Sequence, residues 1–197
     1  MSIWKIKSLL YRVRTIVPLS VILNREMRKL SELAVHLVYE NNTLLDVGTG
    51  CGQSLDVFPD HVRIITLDSC PDMVSRIHRP LILPLVADAC APPFPTDTFS
   101  AISAVGISEY LPDIDLFFSQ MASLLNPGGF LLFTTSPPGL FSFLRAFLGT
   151  PLKTYSPQRV LDKALRSGLS CVKQTHTLMQ NQYLFKKISC RVIASEP

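Results

Sequence analysis

The chain has 197 residues, of which 47% are hydrophobic and 17% charged, and its formal net charge is +4. That length suits one α/β domain with a real core and is too short for two full domains. A charged share below the rough quarter of typical soluble domains leaves apolar surface for a partner. The five cysteines, Cys51, Cys70, Cys90, Cys171 and Cys190, contain no Cys-x-x-Cys pair, which argues against a zinc site or a disulfide framework and for a reducing cytosol.

Near the N-terminus Lys5, Lys7, Arg12, Arg14, Arg25, Arg28 and Lys29 outnumber Glu26, Glu32 and Glu40. This excess suits either anionic lipid or RNA, or the solvated face of a lid helix. Residues 1–40 are expected to form an N-terminal helical lid on a domain of residues 41–197, the two making one structural domain. Basic residues interrupt the apolar run and no small-residue cleavage site follows, unlike a signal peptide. No apolar segment reaches the ~20 residues of a membrane span. A cytoplasmic protein, soluble or peripheral to a membrane, is expected.

From about residue 43 strand and helix signals alternate, as in a parallel sheet covered by helices. Thr43 to Val47 and Val62 to Leu67 read as the first two strands, with a short helix from Gln53 to Phe58 between them, closed by Pro59. Pro71 suits the first turn of a helix carrying Met73, Val74 and Ile77. Leu83 to Ala87 and Ala101 to Val105 read as strands three and four. Helical spacing covers Asp113 to Leu125, before an Asn-Pro-Gly-Gly turn at 126 to 129. Phe130 to Thr134 reads as strand five. Ser156 is placed to cap a helix that has Pro157 at its first position and Gly168 at its close. Two last runs, Ser170 to Thr177 and Lys187 to Ala194, are expected to complete the sheet.

The strongest local signal is Leu44-Leu45-Asp46-Val47-Gly48-Thr49-Gly50-Cys51-Gly52, a buried strand running into three alternating glycines. Such a turn lets the backbone approach a ligand, and the N–H groups of the next helix face the same crevice. A nicotinamide fingerprint needs glycine or alanine where Gln53 stands, and a P-loop needs Lys followed by Ser or Thr, so neither fits. Two more carboxylates follow the next two strands. Asp68 suits the paired hydroxyls of a ribose, and Asp88 suits an exocyclic adenine amine. Singly each is more often a loop carboxylate or a helix cap. Three at successive strand ends fit the rule that open parallel sheets bind ligands there.

These segments, with Pro71-Asp72-Met73, Ala87-Asp88-Ala89, Pro93-Phe94-Pro95, Phe99, Tyr110-Leu111-Pro112-Asp113 and Leu125-Asn126-Pro127-Gly128-Gly129, resemble the class I S-adenosylmethionine-dependent methyltransferases, type 11 branch. The resemblance spans residues 43 to 135. It implies an α/β, Rossmann-like, seven-stranded and mostly parallel sheet, with helices on both faces and a C-terminal antiparallel hairpin. It also implies that Asp46, Gly48, Thr49, Gly50 and Gly52 hold the methionine part of S-adenosylmethionine. By the same resemblance Asp68 and Ser69 hold the ribose and Asp88 and Ala89 the adenine. Met73 would pack near the adenosine, and Val105 and Gly106 would line the methyl end. Ser100 departs from the family's usual Asp, and Ser108-Glu109-Tyr110 replaces a segment where many relatives carry histidine.

Methyl transfer from a sulfonium chiefly needs the acceptor held close and aligned, so the chemistry alone forces no general base. Glu109 and Tyr110 are the groups best placed to face an acceptor, against the alternative that Glu109 is solvent-exposed and Tyr110 packs. His36, His61, His78 and His176 are isolated and carry no expected role, and no metal site is expected. Gly106-Ile107-Ser108-Glu109 is unlike the Asn-Pro-Pro-Tyr of adenine and glutamine methylases. Ser136-Pro137-Pro138 resembles that motif only superficially, because it follows the fifth strand. The N-terminal stretch and Leu140 to Leu148 mix aromatic, aliphatic and basic residues, as a lid or an interfacial helix does. A small hydrophobic acceptor, such as a quinone precursor, a lipid or an aromatic metabolite, is expected. The alternatives are an RNA or protein methyltransferase, for which no basic stripe or added domain is present, and a non-catalytic scaffold.

Overall fold

The computed structural model describes residues 17–38, 43–137 and 153–189, with the backbone alone for 17–23. Most of the N-terminal basic stretch and the 140–148 insertion lie outside the described residues. The described elements are α1 (Val17–Ala34), β1 (Leu44–Val47), β2 (Ile64–Asp68), α2 (Pro71–Val74), β3 (Ile82–Val86), β4 (Phe99–Ala104), α3 (Ile114–Leu124), β5 (Leu125–Thr135), α4 (Pro157–Arg166), β6 (Leu169–His176) and β7 (Asn181–Lys187). They build a seven-stranded sheet in the order β3-β2-β1-β4-β5-β7-β6. The pairs from β3 through β5 are parallel, and β7 runs antiparallel to both β5 and β6. This is the Rossmann-like sheet with a terminal hairpin that the resemblance implied.

Strands buried on both faces explain why the sequence reads as continuous apolar runs rather than as alternation. Leu45, Ile102, Leu131, Phe133, Tyr183 and Phe185 face one core with α3 and α4. Leu44, Ile64, Ala101, Leu132 and Leu184 face the other, which Leu30, Leu33 and Ala34 of α1 cover. The helix starts follow from local chemistry. Asp113 accepts the Asp115 and Leu116 N–H groups at 2.8 and 3.2 Å, and Ser156 accepts that of Arg159 at 3.4 Å. A salt bridge from Lys163 to Asp115 links α4 to α3.

Several expectations are corrected. The segment after the glycines is a 3-10 helix, Gln53–Val57, and Phe58 turns extended because Pro59 disfavours helical backbone before it. The helix after Pro71 ends at Val74, where i→i+3 bonds tighten the chain. Ile77 lies beyond it yet stays buried. The Asn-Pro-Gly-Gly turn is a bulge inside β5, because Phe99 pairs with Leu125 while Ala101 pairs with Phe130. A side chain at Gly129 would place its Cβ 2.8 Å from the Ser100 carbonyl, so the bulge requires glycine.

The last described strand is Asn181–Lys187, which ends where the expected run from Lys187 to Ala194 was to begin. Thr177 exchanges hydrogen bonds with Gln180, making a tight connection that starts β7 at once. Tyr183, Leu184 and Phe185 then fill both cores. Residues 190–194 of the expected run lie outside the described residues.

The core on the α3 face contains an aromatic cluster. Phe118 is fully buried and meets Phe117, Phe133 and Phe185 at centroid distances of 5.9, 5.0 and 5.8 Å, each edge-on. Phe118→Ala is expected to cost about 3–5 kcal/mol of unfolding free energy by urea denaturation. A loss under about 1 kcal/mol would show that this core tolerates collapse.

Candidate cofactor and acceptor site

The order of strands reverses direction around β1, which has β2 on one side and β4 on the other. Open α/β sheets bind ligands at that point, outside the carboxyl ends of the strands. The glycine turn leaves β1 here. Gly48, Gly50 and Gly52 have φ of 72°, 55° and 82°, a region where a side chain is strained. Gly48 and Thr49 donate to the Leu67 carbonyl at 2.7 and 3.2 Å, so the turn is tied to the end of β2. At Gly48 a Cβ would stand 2.5 Å from the Ile107 side chain, whereas at Gly50 nothing lies within 4 Å. Gly48 thus lets the β1 and β4 turns touch, and Gly50 borders open space.

Asp68 completes the turn. Its Oδ2 accepts the Gly50 N–H at 2.8 Å and its Oδ1 the Cys70 N–H at 2.8 Å. A carboxylate offers about four lone-pair directions, so both oxygens retain acceptor capacity toward a ligand. Asp88 repeats the device one strand further out, with Oδ1 accepting the Cys90 N–H at 2.8 Å. Asp88 and Ser69 are exposed, while Ala89 and Met73 are buried. The Ala87 N–H donates to the Asp68 carbonyl at 3.0 Å, which joins the two strand ends. The Met73 Sδ lies 3.1 Å from the Cys51 Sγ of the turn.

Under the turn, Asp46 is fully buried. Ser54 donates to its Oδ2 at 3.2 Å, and no donor reaches its Oδ1 in hydrogen-bond geometry. Burial raises its pKa from 3.8 to about 6, partly offset by the hydroxyls of Thr49, Ser103 and Ser54, while the charge of Asp68 raises it further.

On the far side of β1, Val105 is half-buried and Gly106, at φ 72°, donates its N–H to Thr134 Oγ1 at 2.9 Å. A 3-10 turn, Ser108–Tyr110, follows. Glu109 is 4% exposed, so it is not the solvated group of the bland alternative, and Tyr110 is half-buried. The Ser136 hydroxyl, just past β5, donates to Glu109 Oε1. The structure therefore brings Gly48, Thr49, Gly50 and Asp68 together where β1 and β2 end, with Asp46 buried in β1, while Asp88 and Ala89 follow β3 and Val105, Gly106 and Glu109 follow β4.

Sequence reasoning gave no role to Ser54, which donates to Asp46 from 8 residues away, or to Thr134 and Ser136, which secure Gly106 and Glu109 from 28 and 27 residues away. It also missed Glu26. That residue is 5% exposed and accepts from the Thr177 hydroxyl and, at 3.3 Å, from the Met179 N–H. The Gln182 side chain donates to its carbonyl at 3.2 Å. Asn181 pairs with Thr135, so Glu26 ties α1 to the hairpin tip at the same edge of the sheet as the crevice. Among the described residues no three His, Cys, Asp or Glu converge as a metal site, and no helix is long and apolar enough to cross a membrane.

The Asp46 shift has a defined sign. Below about pH 4 the carboxyl is protonated in both states. Between 4 and 6 the unfolded chain ionises first, so stability falls as pH rises through the folded pKa of about 6. The shift is worth about 3 kcal/mol. Urea denaturation of the wild type and Asp46→Asn at pH 4 and pH 8 is expected to show the wild type losing about 2 kcal/mol more than the variant over that interval, because the unfolded carboxyl is already partly ionised at pH 4. Parallel losses would contradict the assignment.

A family model described as a methyltransferase domain matches residues 22–192. The fatty-acid O-methyltransferase of Mycolicibacterium smegmatis is 30% identical over 136 residues, which cover 64% of this chain and 50% of that protein. The chain thus spans about half the length of that curated relative. Geranyl diphosphate C-methyltransferase from Streptomyces coelicolor, solved with Mg2+, geranyl diphosphate and S-adenosyl-L-homocysteine, superposes with a TM-score of 0.69 at 14% identity, covering 82% of this chain and 77% of that one. The [4+2]-cyclase SpnF superposes with a TM-score of 0.69 at 17% identity, covering 83% and 81%. At such identities the likeness is one of fold. The chain belongs to the methyltransferase-domain family and has the Rossmann-like fold of the class I S-adenosylmethionine-dependent methyltransferases.

Proposed function

We propose that the chain transfers a methyl group from S-adenosylmethionine to a small apolar acceptor. The observation that carries this reading is the glycine turn held open at the β1 end by the Gly50 to Asp68 hydrogen bond. A [4+2]-cyclase shares the fold, so the reading rests on these residues and on family membership rather than on the sheet.

The crevice fits the donor in three respects. Open space stands over Gly50, a buried carboxylate without a donor at Oδ1 lies beneath, and carboxylates with spare acceptor capacity follow β2 and β3. Asp46, Gly48, Thr49, Gly50 and Gly52 would hold the methionine part. Asp68 and Ser69 would hold the ribose, and Asp88 and Ala89 the adenine, with Met73 packed against the adenosine. Val105 and Gly106 would border the methyl end. When bound, S-adenosylmethionine supplies a methyl group already activated on a sulfonium. The remaining work of the chain is to align an acceptor and exclude water.

An apolar acceptor is supported by the fatty acid in the name of the Mycolicibacterium relative and by the apolar segments near the N-terminus and at 140–148. Residues 1–40 would act as the lid over that acceptor. Supporting this, Glu26 anchors α1 at the edge of the sheet where the crevice opens. The low charged fraction and basic N-terminus suit a cytoplasmic protein that touches a membrane surface to reach such a molecule.

Calorimetric titration with S-adenosylmethionine and S-adenosylhomocysteine tests the reading. Asp68→Ala removes a ligand acceptor and releases the Gly50 N–H, and is expected to weaken both by about tenfold or more, or 1.4 kcal/mol. A folded wild type that binds neither compound would overturn the reading and favour the scaffold alternative.

A further inference from the structure

A cavity of about 260 Å³ opens between the 3-10 helix that follows the glycine turn and the segment that follows α2. It shares only Gly52 with the residues assigned to the donor, so it is a second space beside that crevice. Leu55 and Ile77 form its apolar lining and are 0% and 8% exposed. Gly52 lies against both, since a Cβ there would stand 3.1 Å from Leu55 and 3.5 Å from Ile77. Arg76, His78 and Arg79 line the same cavity, and Asp56 is the one carboxylate that faces them there.

The two arginines are available to a ligand. Arg76 is exposed and makes no ion pair among the described residues. Arg79 meets Asp56 through Nη1 at 3.5 Å and Asp60 through Nη2 at 2.6 Å, yet those carboxylates are 75% and 96% exposed. Ion pairs so open to water are weak, and a guanidinium carries five N–H donors, so Arg79 retains donors. Guanidinium forks match phosphoryl oxygens, and a phosphomonoester offers three such oxygens and about two negative charges at neutral pH, more than a carboxylate does. An apolar lining with a few convergent polar groups is also the usual make-up of a small-ligand pocket. We propose that this cavity binds a phosphomonoester, with its phosphate held by Arg76 and Arg79 and its esterified group resting on Leu55 and Ile77. His78 supplies a further N–H, and Asp56 opposes the phosphate charge and so limits affinity.

Phenyl phosphate is titrated by calorimetry into the full chain at neutral pH and about 0.15 M salt. It is expected to bind with a Kd below about 1 mM and about tenfold more tightly than benzoate. Arg76→Gln is expected to weaken it about tenfold, whereas Arg25→Gln, which removes an exposed arginine of α1, leaves it unchanged. Asp56→Asn is expected to strengthen it about threefold, a gain that a folding defect does not produce. Sedimentation with phosphatidylcholine vesicles containing phosphatidic acid separates the sources of such a group. Retention that Arg76→Gln abolishes assigns a lipid head group, and titration without retention assigns a soluble phosphomonoester. Absence of phenyl phosphate binding, benzoate binding as tight, equal losses in Arg76→Gln and Arg25→Gln, or displacement by S-adenosylhomocysteine overturns the proposal.

Discussion

The hydrogen bond from the Gly50 N–H to the Asp68 carboxylate joins two strand ends that are 18 residues apart in sequence, and the shape of the crevice depends on it. A hydrogen bond to a charged group contributes about 1.5–3 kcal/mol, enough to hold a three-glycine turn whose backbone is otherwise entropically costly. With Gly50 held, the turn arches over Asp46. Gly48 then lies against Ile107, which brings the β4 turn alongside. The turns after β1 and β4 are thus set against each other by one backbone path.

The carboxyl edge of the sheet concentrates the polar groups that the fold buries. Asp46, Ser103, Ser108, Glu109, Thr134, Thr135 and Ser136 are all buried there or just behind it, whereas both faces of the sheet are lined with aliphatic and aromatic side chains. Burying polar groups costs stability unless they are paired, and the raised pKa of Asp46 is one expression of that cost. A core optimised only for stability would carry apolar residues at such positions. Their presence at one edge is what a ligand site requires.

Much of this was legible in the sequence because the chemistry is local. The glycine spacing, the carboxylates after β2 and β3, and the helix caps at Asp113 and Ser156 each act within a few residues, and each stands where its local pattern placed it. What the sequence concealed depends on distant partners. β7 opens with Asn181 and Gln182, which look like loop residues, and they are buried because Thr135 and Glu26 wait for them across the fold. Glu109 reads either as a group facing the acceptor or as a solvated one, and its burial becomes evident only when Ser136, 27 positions later, arrives beside it. Glu26 looks like one charge among many on a basic helix, yet its partners lie more than 150 residues away.

The central claim is that the loops after β1, β2, β3 and β4 form a single donor site. Amide hydrogen exchange with and without S-adenosylhomocysteine tests it most directly, since protection reports where a ligand orders the backbone. The account predicts slowed exchange at residues 48–55, 69–73, 88–90 and 105–107 together, with β6 and the outer face of α4 unchanged. Protection confined to other segments, or none at a saturating concentration, would contradict it.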